Sequence, residues 1–228
     1  MVSATPDAAH RFGHGAGGPR ILDLRGAVQA VIFDIGVSLS TRRRRGWPQQ
    51  LGSPTRHRPH RLESFAQEIR KRGEIGETSL EQVLVDTADA LDVAPMTVEA
   101  MFDDMWYEYL GTANTELIGY LAALRPRYRT ALLSNSFVGA REREQARFGF
   151  DQLVDVVVYS HEEGVRKPDP RIYRSTWAQL DVAPDSVVFV DDVVECVAGA
   201  RAIGMHAVHH VDNRHTIAAI EALLANDR

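Results

Sequence analysis

Residues 187–211 read VVFVDDVVECVAGARAIGMHAVHHV, and this stretch decides the fold. Val187–Val190 is an uninterrupted apolar run of strand length that ends at Asp191 and Asp192. Val194–Ile203 continues with helical spacing, and Gly204 suits the end of a helix. His206–Val211 reads as a second short strand. A strand, a helix and a strand in succession make parallel strands joined by a crossover. Strands without a polar face must be covered on both sides. The class that follows is α/β, a parallel sheet between helical layers.

The same grammar extends outward. Upstream, Asp169-Pro170 is an N-cap and first-turn pair opening a helix to Leu180. Val154–Tyr159 is a strand. Arg141–Phe148 is helical, with Gly149 past its end, and Thr130–Leu133 is a strand ending at Ser134. Far upstream, Ala30-Val31-Ile32-Phe33 is a buried-type strand ending at Asp34. Downstream, Thr216–Ala225 is a final helix. Between the first two strands the period turns helical, over Leu62–Lys71, Ser79–Leu91, Pro95–Leu110 and Thr115–Leu124. Thr78 and Glu81 have capping-box spacing ahead of the second of these. The expected organisation is a Rossmann-like core over 29–40 and 125–228, with an inserted α-helical cap over 41–124. Within the cap, 41–61 is irregular and basic and 62–124 is helical. Residues 1–28, rich in Ala, Gly and Pro, read as a flexible leader.

Composition narrows the function. The chain has 228 residues, 44% hydrophobic and 25% charged, which are ordinary globular values. Its one cysteine, Cys196, permits no internal disulfide, so a reducing, cytoplasmic setting is expected. No run of 18 apolar residues exists, so no membrane partner is expected. A net charge of −5 argues against nucleic acid. Seven arginines fall within 41–61, with no acid among them; Arg42–Arg45 is read as a solvated loop rather than a polyanion site.

Five polar residues end three of the strands: Asp34, Ser134 with Asn135, and Asp191 with Asp192. In an open parallel sheet, ligands bind beyond these carboxyl ends. Lys167 follows another strand, in a turn stiffened by Pro168 and Pro170. Taken singly, each has a plain structural reading: Asp34 a turn former, Asp191-Asp192 and Ser134-Asn135 caps, Lys167 a surface lysine. Their convergence on one crevice favours chemistry. Met101, Phe102, Met105, Trp106 and Tyr109 are at helical spacing and read as cap core, Cys196 as a small core residue. His206, His209 and His210 have no companion cluster for zinc.

The motifs VIFDIG, LLSNS, GVRKPDP and VVFVDD with AGARAIGM, in this order, resemble the haloacid dehalogenase-like (HAD) hydrolase superfamily over residues 30–226. The resemblance implies that Asp34 is the nucleophile, forming an aspartyl phosphate. It implies that Ser134 and Asn135 bind phosphate, and that Lys167 pairs with both nucleophile and phosphoryl group. Asp34, Asp191, Asp192 and the Gly36 carbonyl would hold Mg²⁺, a hard ion suited to oxygen ligands. The expected function is a Mg²⁺-dependent phosphatase acting on a small phosphorylated metabolite, with homodimerisation left open.

The sequence departs from the family pattern in three places. Gly36 stands where most family phosphatases carry an acid/base Asp, which predicts a slower enzyme, since such help is typically worth about 10²–10⁴ in rate. Val37-Ser38 replaces the usual small residues, and Cys196 the usual Asn. Family-like sequence resumes only near Arg72–Glu77, so residues 37–65 are either a genuine basic loop or the product of two compensating frame errors. The rival readings are a catalytically silent binding or regulatory protein and, opposed by Asp191-Asp192, a 2-haloacid dehalogenase. A phosphoryl-transferring mutase is disfavoured by Gly36.

Overall fold

The computed structural model describes residues 27–36, 40–41 and 59–225. Most of the expected leader, Val37-Ser38 and the arginine-rich run Arg42–Arg45 lie outside these residues. So does most of the 37–65 stretch on which the basic-loop and frame-error readings turn.

Five strands form one parallel sheet: β1 (Ala30–Phe33), β4 (Arg129–Ser134), β5 (Val156–Tyr159), β6 (Val187–Asp191) and β7 (His206–His209). Their order is β5-β4-β1-β6-β7. β1 is central, with Phe33 level with Leu132 of β4 and Val190 of β6. Its four residues are all fully buried. Because side chains alternate along a strand, β1 feeds two cores. Val31 and Phe33 join Leu132, Val188 and Val190 on one face. Ala30 and Ile32 join Ala131, Leu133 and Phe189 on the other.

Between β1 and β4 lie helices α1 (Pro59–Glu74), α2 (Leu80–Leu91), α3 (Pro95–Leu110) and α4 (Thr115–Leu124). A short antiparallel pair, β2 (Ser40–Thr41) with β3 (Thr112–Ala113), joins the chain where it leaves β1 to the point where it returns. No pattern in the sequence marks this pair, since two residues carry no period. Helices α1 to α3 share their own apolar cluster, built on Ile69, Val83, Val98, Phe102 and Trp106. Phe102 and Trp106 are therefore core of the insert, as expected, while Asp103 and Asp104 are exposed.

Three expectations need correction. Helix α4 does not belong with the cap helices: Leu117, Leu121 and Leu124 are buried in the core of the sheet, so the core resumes near Thr115 rather than at 125. Helical period alone cannot say which layer a helix joins. The irregular segment ends earlier than residue 61, because α1 starts at Pro59; proline is tolerated in a first helical turn, where its missing N–H has no partner to lose. Finally, the cap of α2 is Ser79, whose side chain accepts the Gln82 N–H, rather than Thr78.

After β4 come α5 (Ala140–Phe148), α6 (Phe150–Leu153), α7 (Ser160–Glu163), α8 (Pro170–Leu180), α9 (Val194–Ala202) and α10 (Asn213–Ala225). Asp169 caps α8 through the Arg171 N–H, with Pro170 following it. Helices α4 and α10 cover one face of the sheet, and α8 and α9 the other.

Candidate active site

The strand order places β1 between β4 and β6, so their carboxyl ends are neighbours. Asp34 follows β1, and its N–H extends the ladder to the Val190 carbonyl at 2.8 Å. Ser134 and Asp191 are the last residues of β4 and β6. Lys167 arrives from the turn before α8 and is only 2% exposed. Its Nζ donates to Asp34 Oδ1 at 2.6 Å, to Asp191 Oδ2 at 2.7 Å and to the Leu133 carbonyl at 2.9 Å. It also lies 5.4 Å from the centre of the Phe189 ring. All three ammonium donors have acceptors, as a buried charge requires.

Asp34, Asp191 and Asp192 offer carboxylate oxygens within 4.8 Å of one another. The structure thus brings together Asp34, Ser134, Lys167, Asp191 and Asp192 as the sequence suggested. Asp191 Oδ1 also accepts the Val193 N–H at 2.8 Å, which closes the turn ahead of α9; the N-cap of that helix is Val193 and not, as its structural reading had it, Asp191 or Asp192.

A match to a known family adds to this geometry: the model for haloacid dehalogenase-like hydrolases matches residues 28–204. The chain belongs to the haloacid dehalogenase-like hydrolase family. Among characterised relatives, Phosphatase MT3486 of Mycobacterium tuberculosis is 40% identical over 87 residues, covering 37% of this chain and 40% of the relative. (S)-2-haloacid dehalogenase 1 of a Pseudomonas species is 33% identical over 102 residues, covering 42% of this chain and 43% of that protein. The chain therefore spans about two fifths of each relative. A HAD family enzyme of Bacteroides thetaiotaomicron, crystallised as an aspartate-to-alanine variant with magnesium and inorganic phosphate, shares the fold. Its TM-score is 0.67 at 18% identity, over 80% of this chain and 94% of that one.

Within this HAD-like site the electrostatics follow from burial. Burial raises the Asp191 carboxyl to about 6, aided by the charge of Asp34 and opposed by Lys167 and the Val193 N–H. Burial alone would lower Lys167, but Asp34 and Asp191 outweigh it and hold the ammonium charged. Among the described residues, the three clustered carboxylates surround one ammonium, a donor set of oxygens that suits a divalent cation. Ser134 Oγ is buried and has no hydrogen-bond partner among the described residues. An unpaired buried hydroxyl is costly, and this one stands at the carboxyl end of β4, the strand beside β1.

The Asn135 side chain has partners within the turn that carries Lys167. Its amide is engaged by the Lys167 backbone at both ends, accepting from the N–H at 2.8 Å and donating to the carbonyl at 2.9 Å. Its side chain therefore holds the lysine turn. Gly36 is buried, and a Cβ there would lie 2.5 Å from Asp34 Oδ2. The carboxylate of Asp34 takes this position because residue 36 has no side chain.

Two features escaped the sequence reading. Gly199, within AGARAIG, sits where a Cβ would meet Pro168 Cβ at 2.8 Å and its carbonyl oxygen at 3.1 Å, so α9 closes directly on the lysine turn. A glycine inside a helix, which costs about 0.5–1 kcal/mol against alanine, was the available signal. Ser136 Oγ and His161 Nδ1 lie 2.7 Å apart beyond β4 and β5. Burial lowers the His161 imidazole below its ordinary value. No motif marked this pair, because nothing in sequence links residues on separate strands.

Proposed function

We propose that this HAD-like hydrolase is a Mg²⁺-dependent phosphatase acting on a small phosphorylated metabolite through Asp34. The observation that carries the reading is the Lys167 ammonium held between Asp34 and Asp191, with Asp192 completing a carboxylate cluster. Asp34, Asp191, Asp192 and the Gly36 carbonyl would hold the ion. When bound, it neutralises charge on the phosphoryl group.

The chain's own groups then act in order. Ser134 Oγ and Lys167 Nζ receive phosphoryl oxygens and orient the phosphorus against Asp34. A bond forms from the Asp34 carboxylate to phosphorus while the ester P–O bond breaks. With glycine at position 36, that residue supplies no proton to the leaving oxygen. Proton delivery therefore falls to water, which favours good leaving groups. Water then attacks the aspartyl phosphate, releasing phosphate and restoring Asp34. Helices α1 to α3 serve as the cap that excludes bulk water and selects the substrate. The cytoplasm is the proposed location, in keeping with the lone, buried thiol of Cys196.

The dehalogenase relative favours a second reading, in which Asp34 attacks carbon and displaces halide without a metal. Asp192 beside Asp191 argues against it, since a metal-free site gains nothing from an added carboxylate. The test is phosphate release from an aryl phosphate and a set of sugar phosphates, with Mg²⁺ or chelator, alongside halide release from a 2-haloacid. Metal-dependent phosphate release that Asp34→Asn abolishes is the expected result. Halide release indifferent to chelator would replace this reading with the dehalogenase. A folded protein inactive in both assays would make it a silent binding protein.

A further inference from the structure

Among the described residues, three exposed valines follow the carboxyl ends of β6 and β7, the end of the sheet that carries the carboxylate cluster. Val193, Val194 and Val211 are 40%, 59% and 64% exposed. Strands β6 and β7 pair with Asp191 level with His209. The pairing continues past the strand ends, where the His210 N–H donates to the Asp191 carbonyl at 2.9 Å. His209 Nε2 also lies 3.0 Å from the Asp192 carbonyl oxygen. Two residues beyond Asp191 and His209 stand Val193, the N-cap of α9, and Val211. Val193 is tied to the cluster through its own N–H, which reaches Asp191 Oδ1. Single exposed apolar residues are ordinary. Three of them, beyond adjacent strand ends and within two or three residues of Asp191 or of its level partner His209, put apolar surface at the end of the sheet where the carboxylates stand.

We propose that Val193, Val194 and Val211 are a specificity lip that receives an apolar leaving group, so that the preferred substrates are phosphate esters of alkyl rather than polyhydroxylated alcohols. The inference rests on the phosphatase reading for the phosphate end of the ligand. A polyol laid against this lip would surrender water from its hydroxyls to carbon neighbours that cannot hydrogen-bond. An alkyl chain laid there removes apolar surface from water on both sides.

The experiment titrates Asp34→Asn protein, loaded with Mg²⁺, with glycerol phosphate, butyl phosphate and hexyl phosphate by calorimetry. It then repeats the series in the background Val194→Ser with Val211→Ser. The expected result is affinity rising about two- to threefold per methylene, somewhat less than full burial would give. In the serine background the series flattens, hexyl phosphate binding no better than butyl phosphate. Equal affinity for butyl and hexyl phosphate in the valine protein overturns the lip, as does a gain that survives the serine substitutions. Phosphate release by the Asp34 protein separates the two ideas. Release from all three esters at one rate upholds the phosphatase and refutes the lip. Chain-length-dependent binding without release upholds the lip and refutes the phosphatase.

Discussion

The side-chain amide of Asn135 pairs with both backbone polar groups of Lys167, at 2.8 and 2.9 Å. This clamp sets where the lysine turn stands, and therefore where Nζ meets Asp34. Replacing Asn135 by Ala leaves two backbone groups without partners, at a cost of about 1–3 kcal/mol. The expected kinetic effect is a fall in kcat of about ten- to a hundredfold from misplacement of the ammonium. Steady-state kinetics check it: a side chain that instead contacted phosphate would show its loss mainly in KM.

Lys167→Met removes the ammonium that bridges Asp34 and Asp191. Breaking a buried pair from one side typically costs about 3–5 kcal/mol, because the remaining charges lose compensation. The urea midpoint of the variant should fall accordingly in the presence of chelator. Mg²⁺ should restore part of the loss, since it supplies positive charge to the same carboxylates. A midpoint that ignores metal would show that the cation does not bind among them.

Gly199→Ala places a methyl group 2.8 Å from Pro168 Cβ. Either α9 or the lysine turn must yield. Overpacking of this kind costs about 1–3 kcal/mol, and here the displaced element carries Lys167. The expected outcome is a lower urea midpoint together with reduced turnover. The same substitution at Gly119, inside α4 where a Cβ meets nothing within 4 Å, is the control: it should raise the midpoint slightly, by about 0.5–1 kcal/mol of helix propensity, and leave turnover unchanged.

Asp155 supplies the pH dependence. Burial works against its charge, but the N–H and hydroxyl of Thr130 and the nearby Arg125 outweigh that and hold the carboxyl below its ordinary value. A depressed carboxyl contributes stability in full above its unfolded value of about 4 and loses it as pH falls through the lower folded value. Asp155→Asn should therefore be about 1 kcal/mol less stable at pH 7. The gap should narrow below about pH 4. Urea midpoints at pH 7, 5 and 3 check the sign.

Mg²⁺ itself should stabilise the fold by mass action. At a hundred times its dissociation constant the gain is about 2.7 kcal/mol. Thermal unfolding with Mg²⁺ and with chelator measures it. Asp192→Asn should shrink the difference while costing little stability of its own, since this carboxylate is less buried than Asp191.

The sequence was most readable where structure is local. Apolar runs such as Ala30–Phe33 and Val187–Val190 are uninterrupted, and only a covered parallel sheet accepts them. Asp169-Pro170 and Gly149 marked helix ends through backbone chemistry that depends on near neighbours alone. The fate of Leu117, Leu121 and Leu124 was less readable. Their spacing says that α4 has an apolar face but not whether it meets the sheet or the other inserted helices. The cap of α2 was ambiguous for a related reason: Thr78 with Glu81 and Ser79 with Gln82 offer the same pattern one residue apart, and φ/ψ at the junction chose the second.

By itself the sequence determined an α/β sheet whose strands end in Asp34, Ser134 and Asp191-Asp192, because strand period and strand ends are properties of short segments. It also determined that these ends share one crevice, since parallel strands present their carboxyl ends on one side. Only the tertiary structure decided how they are wired. Lys167 reaches Asp34 across 133 residues, the Asn135 side chain clamps the lysine backbone, and Gly199 makes room for Pro168. Each of these depends on side chains from separate elements meeting at ångström distances. That register is set by how the layers pack, and no local pattern encodes it.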